Sequence, residues 1–279
     1  MEDLLACARQ LLRHAAHIAV LSGAGISAES GVPTFRDAQT GLWAQFNPQD
    51  LATESAFRAH PQRVWDWYQF RREAIARVQP NAGHLALARF AQRQPGRLSL
   101  ITQNVDGLHQ RAGSREVIDL HGRLDRVVCL ACGEATPREA LQARMTDANP
   151  GWRAQASAAA PDGDADIDAA AVARFLPPWC ATCGGPLKPD VVFFGENVPR
   201  ERYARAVAAL EAADAMLAVG TSLMVYSGFR FARIARERGL PLAILNRGRT
   251  RADDLATLRL DGDCGAMLSG AMLAAALPR

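Results

Sequence analysis

Four of the six cysteines form two Cys-x-x-Cys pairs, Cys129/Cys132 and Cys180/Cys183. Thiolates at that spacing can turn back on one metal ion, and two pairs complete a tetrahedral four-sulfur shell. Soft donors select zinc, or less readily iron, over hard cations. Four thiolates leave no open position, so one structural zinc per chain is expected. A redox dithiol is the rival reading. A nucleic-acid ribbon is another, disfavoured because Leu130-Ala131 and Ala181-Thr182 offer neither basic nor stacking side chains. Residues 133–179 separate the pairs, so the module must carry a large loop. Cys264 stands alone, and no basic cluster beside it suggests a reactive thiolate.

A second chemical feature is Gly23-Ala24-Gly25-Ile26-Ser27-Ala28, which follows the apolar run His17–Ser22. It fits the G-x-G-x-x-G/A pattern, whose glycines let backbone N–H groups approach a pyrophosphate. A plain strand-to-helix turn explains the same glycines. Gly31 and Pro33 also interrupt any long helix after the turn, which disfavours a standard dehydrogenase half-domain.

The elements that must position these groups follow from periodicity. Leu4, Leu5, Ala8, Leu11 and Leu12 predict an amphipathic helix over about residues 2–15, with Cys7 near its apolar face and expected in the core. Short apolar runs at Leu98–Thr102, Val117–Leu120, Ala215–Val219 and Leu242–Leu245 read as buried parallel strands. Helical patterns lie near 82–93, 200–213, 227–238 and 264–276. The expected fold is α/β, a Rossmann-type doubly wound parallel sheet, with a smaller inserted domain. Residues 1–35, 82–120 and 189–279 would form the dinucleotide-binding domain. Residues 36–81, with a strong helix at Pro61–Val78, would form a helical insertion, and 121–188 the zinc-binding insertion. The Asp147–Ala170 stretch is poor in bulky apolar residues and reads as a mobile loop.

Composition excludes several classes. The 279 residues are 49% hydrophobic and 22% charged, which suits a globular chain with a substantial core. A net charge of +3 leaves no nucleic-acid or membrane-surface footprint. No uncharged apolar run reaches the roughly 18 residues of a membrane helix. The acidic opening Met1-Glu2-Asp3 is unlike a signal peptide. A cytoplasmic monomer is expected, with no nucleic-acid or membrane partner.

Longer strings narrow the reading. Gly23–Asp37 reads GAGISAESGVPTFRD and Thr102–His109 reads TQNVDGLH; His121-Gly122, the cysteine pairs, Lys188–Glu196 (KPDVVFFGE) and Gly220–Ser222 (GTS) follow in order. Over about residues 5–275 the chain resembles the sirtuins, NAD-dependent protein-lysine deacylases. The resemblance implies NAD across Gly23–Arg36, including Gly23, Ala24, Gly25, Ser27, Glu29, Phe35 and Arg36. It places Gln103, Asn104 and Asp106 near the nicotinamide ribose, and Gly220, Thr221, Ser222, Asn246 and Cys264 at the adenosine half. His121 matches the family's general base, with Asn104 and Asp106 as catalytic partners. It further implies a cleft between the two domains. There an acyl-lysine peptide would pair as a strand between Val192-Phe193-Phe194-Gly195-Glu196 and the loop near Met224–Tyr226. Outside such a context a lone His before Gly is more often structural than a base; His14, His17 and His60 are read that way, and His84 and His109 as packing or helix-start residues.

The acyl group is read from Arg63–Glu73, RVWDWYQFRRE. Tyr68 and Arg71 are three apart and share a helix face. They resemble the Tyr-x-x-Arg signature of class III sirtuins, which prefer malonyl-, succinyl- and glutaryl-lysine. Ala52 matches the small residue that widens the same pocket. Arg71 would pair with the distal carboxylate and the Tyr68 hydroxyl would add a hydrogen bond. The expected activity is removal of succinyl and malonyl groups, and more weakly acetyl, releasing nicotinamide and 2′-O-acyl-ADP-ribose. The alternatives are a conventional deacetylase with Tyr68 and Arg71 incidental, a protein mono-ADP-ribosyltransferase, or a non-catalytic NAD- or zinc-binding module. Ser227 departs from the family pattern, standing where many relatives have proline after Val225-Tyr226.

Overall fold

The computed structural model of the chain describes residues 2–34, 41, 42, 47–150, 176 and 178–272. In chain order the described strands are β1 (Ile18–Ser22), β2 (Leu98–Thr102), β3 (Val117–Asp119), β4 (Gly122–Cys129), β5 (Ala135–Pro137), β6 (Leu187–Val191), β7 (Ala215–Val219), β8 (Leu242–Leu245) and β9 (Leu258–Leu260). The chain divides into two compact units, one within Met1–Phe35, Arg77–Gly122 and Val198–Arg279, the other within Arg36–Ala76 and Arg123–Asn197. No helix among the described residues is long and apolar enough to cross a membrane.

The first unit carries a six-stranded sheet in the order β3-β2-β1-β7-β8-β9, parallel throughout. Period-two alternation sends Ile18, Val20, Leu217 and Leu245 to one face and Ala19, Leu21, Met216 and Ile244 to the other. Helices Glu2–His14 and Ala82–Arg93 cover the first face through Ala8, Leu12, Leu87 and Phe90. Helices Arg200–Glu211 and Tyr226–Glu237 cover the second through Ala206, Leu210, Phe231 and Ala232. A sheet buried on both faces explains why β1 and β7 read as unbroken apolar runs. β1 lies between β2 and β7, so the chain reverses its winding there, and the crevice at these strands' carboxyl ends is the expected ligand site of such a sheet.

The second unit combines helices Pro48–Leu51, Glu54–Ala59, Pro61–Ala76 and Arg138–Ala148 with a three-stranded sheet ordered β5-β4-β6. Asn47 and Thr53 cap the first two helices through Gln49 N and Ala56 N. Buried Arg138 donates to Gln69 Oε1 at 2.8 Å and stacks over Trp65 at 4.7 Å. Burial pulls its guanidinium down to about 10, with the Arg72 charge adding to the effect.

Several expectations differ from the structure: residues 77–81 and 121–122 group with the sheet-bearing first unit rather than with the insertions. Residues 189–197 group with the helical and cysteine-bearing unit rather than with the dinucleotide-binding domain. The reason is a backbone bond from Phe194 N to Ala52 O at 2.7 Å, a parallel bridge between Thr53 and Phe194, and Glu54 N bonding Phe194 O. Cys7 is exposed rather than in the core, because the buried stripe of its helix runs through Ala8 and Leu12. Phe35 and Arg36, the interior 151–170 of the proposed loop, and the expected helix end at 273–276 lie outside the described residues.

Candidate active site

At the carboxyl ends of β1 and β7 two glycine turns meet backbone to backbone. Gly23 N donates to Val219 O at 3.0 Å and Gly25 N to Gly220 O at 2.7 Å. A Cβ on Gly25 would fall 2.8 Å from Gly220 Cα, and one on Gly220 would fall 2.2 Å from Ile26 N. Gly220 also sits at φ +58. Both positions therefore demand glycine for close contact, and Gly220 for its conformation as well. Only a single helical turn, Ala24–Ala28, follows β1, as the interruptions at Gly31 and Pro33 require.

A chain of polar bonds ties this turn to the loop after β2. Asn104 Nδ2 donates to Gly23 O at 3.0 Å and Ser27 Oγ at 3.1 Å, and Ser27 Oγ donates to Asp106 Oδ2 at 2.7 Å. Asp106 Oδ1 accepts from Leu108 N at 2.9 Å. The Asn104 amide hydrogens are thus committed within the protein, which leaves its Oδ1 to meet a ligand. Gln103 Nε2 donates to Thr221 Oγ1 at 2.9 Å, joining the same loop to the turn after β7. Beyond that turn Leu223, at φ +55, is buried in a conformation bulky side chains rarely adopt.

His121 follows β3. Its Nδ1 lies 3.0 Å from Gln103 O and its Nε2 lies 2.7 Å from Ser227 Oγ. A carbonyl only accepts, so Nδ1 carries the proton and the Nε2 lone pair faces the serine. Burial lowers the imidazole to about 4; the Gln103 carbonyl opposes this and Arg202 adds to it. At neutral pH the ring is a neutral base. Sequence reasoning missed the serine's contact, although the departure at residue 227 marked the position.

The remaining expected cofactor residues among the described ones fall in the same unit. Glu29 Oε1 accepts from Gly265 N at 2.7 Å and so anchors the turn beside buried Cys264. Burial, reinforced by Glu29 and Asp263, pushes that thiol up to about 12, so it is no nucleophile. Asn246 Nδ2 donates to Arg247 O at 2.7 Å, and Ser222 O accepts from Arg251 N at 2.9 Å. His84 caps its helix together with Asn81, and His109 Nε2 lies 2.8 Å from Ser22 Oγ; both are buried.

The expected acyl-pocket residues come together within the second unit. Tyr68 and Arg71 are both buried on helix Pro61–Ala76, and Arg71 lies over the Trp67 ring at 5.1 Å. The Tyr68 ring packs 5.5 Å from Phe193, which packs 5.6 Å from Phe57. Burial raises the Tyr68 hydroxyl well above its ordinary value, so it stays a donor. Buried Ala52 joins them through its bond to Phe194. Glu196 turns inward: its Oε2 accepts from Phe193 N at 2.9 Å and from Lys188 Nζ at 2.5 Å. It shapes the Phe193 turn from within, a role that spacing alone does not reveal. Val192 is half-buried, Phe194 is exposed, and Gly195 holds φ +90 in that turn.

The four cysteine sulfurs lie within 4.8 Å of one another, a donor set that fits zinc. Ala131 N and Cys132 N point at Cys129 Sγ from 3.4 and 3.5 Å, contacts that favour a thiolate. A Cβ on Gly185 would fall 2.6 Å from Ala131 Cβ, so the two cysteine turns close on each other only with glycine there.

Residues 23–227 match the model of the Sir2 family. An NAD-dependent protein deacetylase of Xanthomonas axonopodis pv. citri is 51% identical over 93% of this chain and 88% of its own. The mitochondrial NAD-dependent protein lipoamidase sirtuin-4 of Bos taurus is 46% identical over 89% of this chain and 79% of its own. A solved Sir2 bound to acetylated peptide superposes with a TM-score of 0.73 at 28% identity, covering 93% of each chain. With the paired glycine turns, the neutral His121 and the four-cysteine cluster in place, the chain belongs to the Sir2 family of NAD-dependent protein deacylases.

Proposed function

We propose that this enzyme removes succinyl and malonyl groups from lysine, and acetyl groups more weakly, releasing nicotinamide and 2′-O-acyl-ADP-ribose. The observation that carries this reading is the burial of Tyr68 and Arg71 on one helix face, in one cluster with Phe193 and Ala52. A carboxylate entering an aromatic cavity loses its water and needs a fixed cation and a donor in exchange. Arg71 supplies the first and the protonated Tyr68 hydroxyl the second.

Bound NAD supplies the electrophile, the anomeric carbon of its nicotinamide ribose, to which the acyl oxygen adds. NAD would lie along the Gly23–Gly25 turn, which closes backbone to backbone on Gly220. Asn104 Oδ1 is placed to orient a ribose hydroxyl or an ordered water. Asp106, fixed by Ser27 and Leu108, holds a carboxylate beside the turn. His121 takes the proton of a ribose hydroxyl on Nε2, which its neutral state at physiological pH permits. The cysteine cluster holds zinc for structure.

The test is kcat/KM for acetyl-, succinyl- and malonyl-lysine versions of one peptide, on wild type and Arg71→Met. Loss of a charge-assisted contact costs about 1.5–3 kcal/mol, so activity on the acidic acyl groups should fall by roughly one to two decades. Deacetylation should survive. A wild type that prefers acetyl-lysine, matched by the variant, would make this a conventional deacetylase, the activity named for the Xanthomonas relative. A lipoyl-lysine peptide belongs in the panel because of the bovine relative's name.

A further inference from the structure

Ser227 is the second residue of the helix Tyr226–Glu237 and directs its hydroxyl at His121 Nε2 from 2.7 Å. The opposite ring nitrogen already donates to Gln103 O, so the serine must donate and His121 must accept. We propose that Ser227 is a positioning residue for His121. In the resting enzyme its hydroxyl occupies the basic lone pair, fixing ring orientation and tautomer, and the ribose hydroxyl replaces it when the substrates are in place. The exchange is proton-neutral: the serine keeps its hydrogen and turns away, and the ribose O–H takes up the same acceptor.

The neighbouring residue makes the contact possible. A Cβ on Gly228 would lie 2.3 Å from Gln103 Oε1, so with glycine there the Gln103 side chain packs directly against the helix start. Gln103 thus fixes the ring from one side through its carbonyl and receives the Ser227-Gly228 turn on the other. A proline at 227 would bring no hydroxyl, so His121 Nε2 would rest uncapped. Arg202, on helix Arg200–Glu211, is the charge that acts on the ring, and substitution at 227 leaves it in place.

The proposal rests on His121 as the base, and its test separates the two ideas. Ring nitrogen resonances of His121, assigned with His121→Gln, would be titrated in the full-length protein without substrates, in wild type, Ser227→Ala and Ser227→Thr. A donor to Nε2 stabilises the neutral ring, so its loss in Ser227→Ala should raise the midpoint by about one pH unit, a tenfold gain in proton affinity. Ser227→Thr, which keeps the hydroxyl, should return it. The acid limb of kcat/KM should move up with the ring in Ser227→Ala and return in Ser227→Thr. An unchanged midpoint in Ser227→Ala, or an equal shift in both variants, overturns the proposal. A ring that shifts while the acid limb stays fixed upholds the Ser227 contact and removes His121 as the base. Alanine suits a first helical turn, and far-UV circular dichroism verifies that the variant folds.

Discussion

The two units hold themselves together by different means. In the first, every residue of β1, β7 and β8 is buried, and the sheet's two faces feed two continuous apolar clusters. In the second, β4 alternates between buried and accessible positions, and the interior admits Arg71, Arg138 and Lys188 beside the aromatic rings. The first rests on non-directional burial and the second on directional polar contacts and a four-sulfur cluster. The unit that carries His121 should therefore tolerate conditions that dismantle the unit that carries Tyr68 and Arg71.

Metal removal is the severest way to break that comparison. Structural zinc contributes about 10–16 kcal/mol in small domains, so chelation should unfold the second unit. All five tryptophans, at 43, 65, 67, 152 and 179, fall within that unit's stretches of chain. Their emission should shift red while far-UV circular dichroism keeps the first unit's helices; simultaneous loss of both signals would contradict the division. Next in size, His121→Ala should lower kcat/KM by roughly two to four decades with both spectra unchanged. A loss under tenfold would place the base elsewhere. Lys188→Met leaves Glu196 without its cation, and breaking a buried pair costs about 3–5 kcal/mol. Urea unfolding followed by tryptophan emission should show that loss, and an unaltered midpoint would mean that Lys188 is dispensable.

The smallest effect belongs to the first unit. Burial lowers His84 to about 4 and His109 to about 3, with Asp106 partly opposing the first and His84 adding to the second. Both lie below the free imidazole value of about 6.5, so the native state binds fewer protons than the unfolded chain. Their stabilising contribution is full above that value and is lost as pH falls toward 4. At about pH 5 each should cost roughly 2 kcal/mol relative to pH 7, read by denaturant unfolding followed at 222 nm. Stability that is flat between those values would mean that neither imidazole is held neutral.

The sheet was legible because strands buried on both faces write themselves as unbroken apolar runs, as Ala215–Val219 does. β9 was not: Leu-Arg-Leu is three residues long, lies at the sheet's edge and carries a charge at its centre. β4 and β6 were equally hidden, because Lys188, Pro189 and Asp190 resemble a loop until the structure pairs them. The glycines, the cysteine pairs and the shared helix of Tyr68 and Arg71 are short-range patterns and could be read directly. Glu196 looked like a peptide contact, yet it points at Lys188, and Ser227 looked like a mere departure from the family pattern, yet its hydroxyl meets His121. Side-chain direction depends on packing from distant parts of the chain, and spacing carries no record of it.

The bond from Gly265 N to Glu29 Oε1 spans 236 positions, and β1 pairs with a strand nearly two hundred residues downstream. During synthesis the glycine turn after β1 emerges roughly two hundred residues ahead of its packing partner Gly220, and further still ahead of its anchor Gly265. A ribosome-bound chain that stops short of residue 265 therefore presents an unfinished nucleotide cradle however long it waits. Such late, long-range closure is slow compared with local folding. Competence to consume NAD should thus wait until residue 265 has been made and has met Glu29.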